Sequence, residues 1–148
     1  ISYYHPVDYI KALAKAYEKE ESPAAKDAMA QILINSRMCA EGHRPICQDT
    51  GIVTVFLKIG MDVRWDATLS VEDMVHEGVR RAYNHPENKL RASVLADPAG
   101  KRTNTKDNTP GVVNMKVVPG DKVDVIVAAK GGGSEAKSKF AMLNPSDS

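Results

Sequence analysis

The feature that most constrains the fold is a nearly unbroken apolar run from Ile52 to Ile59. A short run of this kind, broken by Gly60, is typical of a strand that is buried on both faces. Four chemically reactive side chains, a thiol, an amide, a carboxylate and a hydroxyl, precede it at positions 47–50. Because they lie where the chain enters the sheet, we expect a functional site at that edge.

Helical spacing of apolar residues predicts three helices, over 6–21, 22–42 and 70–83. The second begins with an N-cap serine and a first-turn proline, and the third begins with a sequence similar to a capping box. The first two helices are expected to pack together as a layer. Cys39 falls on the apolar face of the second helix, so we expect it to be a core thiol.

Two alternating apolar segments, 111–118 and 122–130, flank a Pro-Gly pair suited to a type II turn, and this pattern predicts a β-hairpin. Before them, residues 84–110 form a long polar connection, which in a compact domain is usually functional or disordered. Residues 134–143 fit either a helix or an extended arm. Together the elements predict a single α+β domain over 1–148, with an N-terminal helical layer packed on a mixed or antiparallel sheet.

Composition restricts the classes of partner. The formal net charge is +1, and basic residues alternate with acidic ones, so we expect no nucleic-acid partner. No apolar stretch approaches the roughly 20 residues that a membrane helix requires, and no signal peptide is recognisable. We therefore expect a cytoplasmic protein with no membrane partner. The chain starts with Ile rather than Met, which indicates a piece of a longer protein.

Three stretches carry polar chemistry that packing does not require. Cys47 could be a structural thiol, a nucleophile, although a histidine base is not close in sequence, or one ligand of a metal centre. Arg91 is either a surface residue or a clamp for a carboxylate. The glycines at 131–133 form either a flexible turn or a nest of N–H groups for an anion. The four histidines lack metal-ligand spacing, so a histidine metal site is not expected.

Five separated motifs, in order along nearly the whole chain, resemble the N-terminal region of class I, iron–sulfur fumarate hydratases. The tartrate dehydratase alpha subunits share most of these features. The motifs are Arg-Pro-Ile-Cys-Gln-Asp-Thr-Gly (44–51), Asn-Thr-Lys-Asp-Asn-Thr-Pro (104–110), Val-Pro-Gly-Asp (118–121), Lys-Gly-Gly-Gly-Ser (130–134) and Met-Leu-Asn-Pro-Ser-Asp (142–147).

The resemblance implies a hydro-lyase of the tricarboxylic acid cycle that hydrates fumarate reversibly to L-malate, with a [4Fe–4S] cluster as Lewis acid. It implies that Cys47 is the first of three cluster ligands. Gln48 would bind substrate oxygens, and Asp49 would be the catalytic group, acting in proton transfer or orientation. Arg91 would clamp a substrate carboxylate, and Gly133 would offer its backbone N–H.

The resemblance also sets expectations about partners. The other two cluster cysteines of the family are not in this chain, so we expect the 148 residues alone to lack the cluster and to be inactive. The remainder of the enzyme, or a beta subunit, would complete the site, and the full-length form would be a homo-oligomer. Tartrate is the alternative substrate to fumarate. Two other classes stay open: a non-catalytic anion-binding module and a structural assembly subunit.

Overall fold

The computed structural model describes residues 1–133 and 138–147, and these form three helices and five strands. No helix in the described part of the chain combines the length and apolar composition needed to cross a bilayer. In chain order the elements are α1 (Val7–Lys19), α2 (Pro23–Gly42), β1 (Ile52–Gly60), α3 (Val71–Tyr83), β2 (Leu95–Ala96), β3 (Thr103–Asn104), β4 (Val112–Val118) and β5 (Val123–Lys130).

The helix starts confirm the predicted caps. The Ser22 hydroxyl oxygen accepts a hydrogen bond from Ala25 N at 3.5 Å, with proline in the first turn of α2. The Ser70 hydroxyl accepts from Asp73 N at 3.0 Å and donates to the Asp73 carboxylate at 2.7 Å. The carboxylate of this cap therefore binds the serine hydroxyl, whereas in the usual capping box it accepts from the backbone N–H of the cap residue.

The main sheet is mixed, with β1 in the middle. Strand β4 pairs with β1 in parallel, and β5 pairs with its other edge in antiparallel orientation. Phe56 consequently lies opposite Asn114 on one side and Ile126 on the other. The predicted α+β class, with a helical layer and a mixed sheet, is confirmed.

The predicted hairpin is wrong, because β4 and β5 do not pair with each other. Their connection crosses the end of β1 and bonds to it: Met61 N donates to Val118 O, and Asp62 N donates to Gly120 O, both at 2.9 Å. Local alternation identifies both strands correctly, but it cannot show that a third strand lies between them. The long-range pairing with β1 decides the topology.

The core lies on one face of β1, so the expectation of a strand buried on both faces is wrong for the described residues. Val53, Val55 and Leu57 point to the same face and form a buried cluster with Val79 of α3. On the opposite face, Phe56 is 47% exposed. Helices α1 and α2 contact each other, as expected for a helical layer.

The pairing brings three segments of the chain to one sheet edge. Strand β4 starts beside the start of β1, and the antiparallel β5 ends there, with Lys130 opposite Ile52. Residues 47–51, 104–111 and 131–133 therefore meet at this edge. Two of these segments contain side chains or glycines that sequence analysis assigns to a site.

The long connection at 84–110 is ordered. Strands β2 and β3 form a two-stranded antiparallel sheet within it, and asparagine and threonine side chains bind much of its backbone. Residues 134–137 lie outside the described residues, so the helix or arm expected over 134–143 can be followed only from 138, where no helix or strand is found.

We predict that Gly60→Ala destabilises the protein. An added Cβ would overlap the carbonyl group of Gly120, which crosses the end of β1. Overpacking of this kind typically costs about 1–3 kcal/mol. Urea unfolding should show a lower free energy of unfolding for Gly60→Ala.

The matched control is Gly78→Ala in α3, where an added Cβ would meet no atom within 4 Å. Alanine is a better helix former than glycine by about 1 kcal/mol, so this variant should be as stable as the parent protein or more stable. Equal stability of Gly60→Ala and the parent would contradict the crossing of the connection over β1.

Candidate functional site

The loop that carries the reactive side chains is fixed at its base by backbone and amide contacts. Ile46 N donates to Ser2 O at 2.9 Å, and Asn35 of α2 donates through Nδ2 to Ile46 O at 3.0 Å. The next residue, Cys47, is exposed. Its thiol is therefore accessible, as a ligand or nucleophile would need to be.

The second cysteine has a different environment. Cys39 is 4% exposed, and its sulfur lies 3.4 Å from Pro45 O. The expectation of a buried thiol at this position is confirmed. The two cysteines thus separate into one structural and one accessible thiol.

Asp49 joins the start of β1 to the glycine run after β5. Its Oδ1 accepts from Gly51 N at 3.0 Å, and its Oδ2 accepts from Gly132 N at 2.8 Å. Its own N–H donates to the Cys47 sulfur at 3.4 Å. The carboxylate therefore ties the reactive loop to the glycine run that follows the neighbouring strand β5.

These hydrogen bonds stabilise the charged form of Asp49. The N–H groups of Gly132 and then Gly51 lower the pKa of its carboxyl below the ordinary value, and Gly133 N–H and the Arg91 charge act in the same direction. Burial opposes them only in part. Asp49 is consequently a carboxylate at neutral pH.

Of the two alternatives for residues 131–133, a flexible turn or a nest of N–H groups, the contacts favour the nest, and Asp49 occupies it. A Cβ on Gly131 would lie 3.0 Å from Asp49 Oδ2, which leaves little room for a side chain at that position. Gly133 N–H, expected to serve a substrate, contributes to binding Asp49 in this conformation. Its contact with a substrate stays a prediction.

Gly51 allows the start of β1 and the end of β5 to approach each other closely. Its φ is +72°, a left-handed conformation that glycine adopts readily. A Cβ there would lie 2.5 Å from Lys130 O, at the end of β5. The motif glycine is thus required both for the turn after Asp49 and for the close approach of the two strand ends.

A polar cavity of about 250 Å³ brings together side chains that are distant in sequence. Cys47 and Gln48 line this cavity together with Arg91. Three of the five side chains or glycines predicted for a site therefore share one cavity. The full lining is Pro45, Cys47, Gln48, Thr50, Lys89, Leu90 and Arg91.

Two further cavities adjoin other surfaces. One of about 380 Å³ is lined by Cys47, Asp49 and Gly131 together with the N-terminal segment, so the thiol borders this cavity as well as the polar one. Another, of about 370 Å³, lies between α3 and β5 and is almost entirely apolar. The apolar cavity contains none of the predicted site residues and lacks cationic groups for an anion.

Asparagine side chains bind the backbone on both sides of Arg91, a role that the sequence did not predict. Asn88 binds both backbone groups of Leu90, accepting from its N at 2.9 Å and donating to its O at 2.8 Å. Asn104 donates to Ala92 O at 2.9 Å. The signal for this role was the density of Asn and Thr in the polar connection, because such side chains readily bind nearby backbone groups.

The described residues supply one candidate metal ligand. Within 1–133 and 138–147, no group of three or more His, Cys, Asp or Glu side chains is arranged to hold a metal ion. The exposed Cys47 sulfur, beside a polar cavity, fits the role of a single thiolate ligand. A cluster at this position would need its other ligands from outside these ranges.

The α+β chain thus brings a thiol, an amide and an arginine together around one polar cavity. The model of the fumarate hydratase (fumerase) family matches the chain over residues 1–148. The chain belongs to this family, which confirms the resemblance found in the motifs.

Individual relatives fall into two groups. A Methanocaldococcus jannaschii protein provisionally named L(+)-tartrate dehydratase subunit alpha is 34% identical, over 97% of this chain and 51% of that protein. The anaerobic class I fumarate hydratase of Escherichia coli K12 is 31% identical, over 95% of this chain and 26% of the relative. The L(+)-tartrate dehydratase subunit alpha of Escherichia coli UTI89 is 26% identical, over 96% of this chain and 46% of the relative.

The chain thus spans about half the length of the tartrate dehydratase alpha relatives and about a quarter of the fumarate hydratase.

We predict an acid-dependent loss of stability that involves Asp49. Because its folded-state pKa lies below the ordinary value, its contribution is complete above the unfolded pKa of about 3.9 and is lost as pH falls through the folded pKa. An NMR titration should give Asp49 a pKa below the ordinary range.

Asp49→Asn should remove this contribution, whereas Asp66→Asn, which deletes an exposed loop carboxylate, serves as the matched charge control. An Asp49 pKa at or above the ordinary value would contradict its hydrogen bonds with the N–H groups of Gly51, Gly132 and Gly133.

Proposed function

We propose that this chain is the N-terminal part of a hydro-lyase that hydrates fumarate reversibly to L-malate, with Cys47, Gln48 and Arg91 at its active site. One observation carries the proposal: Gln48 and Arg91, from distant segments of the chain, line the same cavity as an accessible thiol. Membership of the fumarate hydratase family supports the same reaction class.

The charges of the cavity suit a dicarboxylate. Arg91 can bind one carboxylate through two parallel hydrogen bonds, and Lys89, which also lines the cavity, adds a second positive charge. The Gln48 amide can both donate to and accept from substrate oxygens. These groups would hold a dianion in a fixed orientation and leave the thiol side of the cavity for the reacting carbons.

The ionisation state of the Asp49 carboxyl group limits the roles that this residue can have. A carboxylate that accepts hydrogen bonds from Gly132 and Gly51 is stabilised as the anion, so near neutral pH it has no proton to donate, and its lowered pKa makes it a weak base. Of the two roles expected from the sequence, proton transfer and orientation, the contacts favour orientation. Asp49 would keep the glycine run and the reactive loop at a fixed separation.

Cys47 is the group in this chain that would hold a [4Fe–4S] cluster. When bound, a cluster with one iron free of protein ligands supplies a Lewis acid for the substrate hydroxyl. The proposal requires the other cluster ligands to come from the remainder of the enzyme or from a beta subunit. The resemblance and the exposure of this thiol support the assignment.

Tartrate dehydration is the second candidate, because relatives named as tartrate dehydratase alpha subunits match this chain over similar fractions of its length. Tartrate is also a C4 dicarboxylate, and Arg91 would clamp either acid in the same way. The two substrates differ in hydroxyl groups, and the described cavity contains no group that selects between them.

Exposed sheet edges support a role for partner contacts. Every residue of β5 is exposed, and Val125, Ile126 and Val127 are between 41% and 59% accessible. As the outer strands of the three-stranded sheet, β4 and β5 each have one edge that pairs with no other strand of that sheet. We propose that the rest of the enzyme, a beta subunit or a second copy in a homo-oligomer covers these surfaces.

The first test of the function is substrate turnover by the full-length protein with fumarate, L-malate and L(+)-tartrate. We predict turnover of one or more of these acids, and Arg91→Lys should raise KM roughly tenfold to hundredfold, because a bidentate charged contact is lost. Arg64→Lys, at an exposed loop position, is the matched control and should leave KM unchanged. A normal KM in Arg91→Lys would contradict the carboxylate clamp.

The second test measures iron. Cys47→Ser in the complete assembly should abolish both bound iron and turnover, since serine is a poor substitute for a thiolate ligand. Cys39→Ser, at the buried thiol, should keep the iron even if it lowers stability. Full iron content and turnover in Cys47→Ser would exclude this role and favour an assembly subunit. Tight iron-independent binding of a dicarboxylate without turnover would instead indicate an anion-binding module.

A further inference from the structure

Asn108 is the most buried polar side chain among the described residues, with an exposed fraction of 0%. An amide in such a place costs free energy unless its hydrogen bonds are made. Its Nδ2 donates to Gly51 O at 3.1 Å. Its Oδ1 accepts from Ser93 N at 2.9 Å and from Val94 N at 3.3 Å.

These three bonds connect the two chain segments that contribute Gln48 and Arg91 to the polar cavity. The N–H of Gly51 binds the Asp49 carboxylate. A hydrogen bond to the Gly51 carbonyl therefore also helps to hold the reactive loop in place. Ser93 and Val94 lie two and three residues after Arg91 in the chain. A single side chain therefore spans from the segment with Gln48 and Asp49 to the segment with Arg91.

The hydrogen bonds at this position require an amide side chain. The side chain must donate on one end and accept twice on the other, which neither a carboxylate nor an apolar side chain can do. Its backbone φ is 59°, in the left-handed region that asparagine tolerates better than most residues.

Asn108 is itself held in place by its neighbour. Asp107 accepts from Thr109 N at 3.0 Å and from the Thr109 hydroxyl at 2.7 Å, and it pairs with Arg80 of α3 at 3.1 Å. The segment is thus anchored to the helix that covers the core. A rigid anchor is what a side chain needs if it is to fix the separation of two loops.

We infer that Asn108 is a positioning residue for the proposed dicarboxylate site: it sets the distance between Arg91 and the Gln48–Asp49 turn. The inference rests on the proposed function. The Arg91 segment lies outside helices and strands, so its position depends on side-chain contacts such as these. Without them the guanidinium and the Gln48 amide could move independently, and a dianion could no longer engage both at once.

The test uses the full-length protein and the variant Asn108→Asp, which keeps the acceptor oxygens but cannot donate to Gly51 O. We expect kcat/KM for the turned-over acid to fall roughly hundredfold, as for other misplaced binding groups, with iron content unchanged. Asn84→Asp, an exposed residue at the end of α3, is the matched control and should keep kcat/KM.

A double-mutant cycle separates positioning from general destabilisation. If Asn108 acts through Arg91, adding Asn108→Asp to Arg91→Lys should cause much less further loss than Asn108→Asp causes alone. Independent multiplication of the two losses in kcat/KM would overturn the inference. So would an unchanged kcat/KM in Asn108→Asp.

Amide hydrogen exchange supplies a readout that does not depend on turnover. In the unsubstituted protein, the amides of Ser93 and Val94 should be protected, and Asn108→Asp or the smaller Asn108→Ser should reduce protection at these amides and in 49–51 first. Rapid exchange of Ser93 and Val94 in the unsubstituted protein would overturn the inference even if neither variant folds. If none of the acids is turned over, the proposed function fails, and the exchange pattern still decides whether Asn108 links the two loops.

Discussion

The structure depends on the insertion of β1 between β4 and β5. This one pairing buries Val53, Val55 and Leu57 under α3 and forces the β4–β5 connection across the end of β1. It also fixes what lies at the other end of the sheet. The start of β1, the start of β4 and the end of β5 come to a common edge, and the residues that flank these three strand ends build the candidate site.

Charge and hydrogen bonding then organise that edge. The Asp49 carboxylate binds N–H groups from both sides of it, and its negative charge is balanced in part by Arg91. The walls of the cavity are irregular backbone, which needs partners for its polar groups. Asn88, Asn104 and Asn108 supply many of these partners. A site on irregular segments is thereby given a defined shape by amide side chains.

The sequence was sufficient for the features that depend on local interactions. The starts of α2 and α3 follow from Ser22 and Ser70, and strands β1, β4 and β5 follow from their apolar residues. The site residues Cys47, Gln48 and Arg91 were identified by their chemistry and by motif resemblance, and the structure places them around one cavity. Local pattern and tertiary structure agree at these positions.

The remainder depended on long-range interactions that no local pattern records. Alternation marked β4 and β5 as strands, but the pairing of each with β1 spans more than fifty residues of sequence. The apolar content of β1 suggested two covered faces, yet Phe56 is half exposed in the described chain. Asn108 looked like one polar residue of a long connection, and only its burial shows that it joins two loops.

We propose that one dicarboxylate binds to both Gln48 and Arg91, next to an iron site at Cys47. The most direct measurement is a crystal structure of the full-length protein with its dicarboxylate, including an anomalous map at the iron edge. We expect an iron peak adjacent to the Cys47 sulfur and a substrate carboxylate on the Arg91 guanidinium. A dicarboxylate bound elsewhere, or iron remote from Cys47, would contradict it.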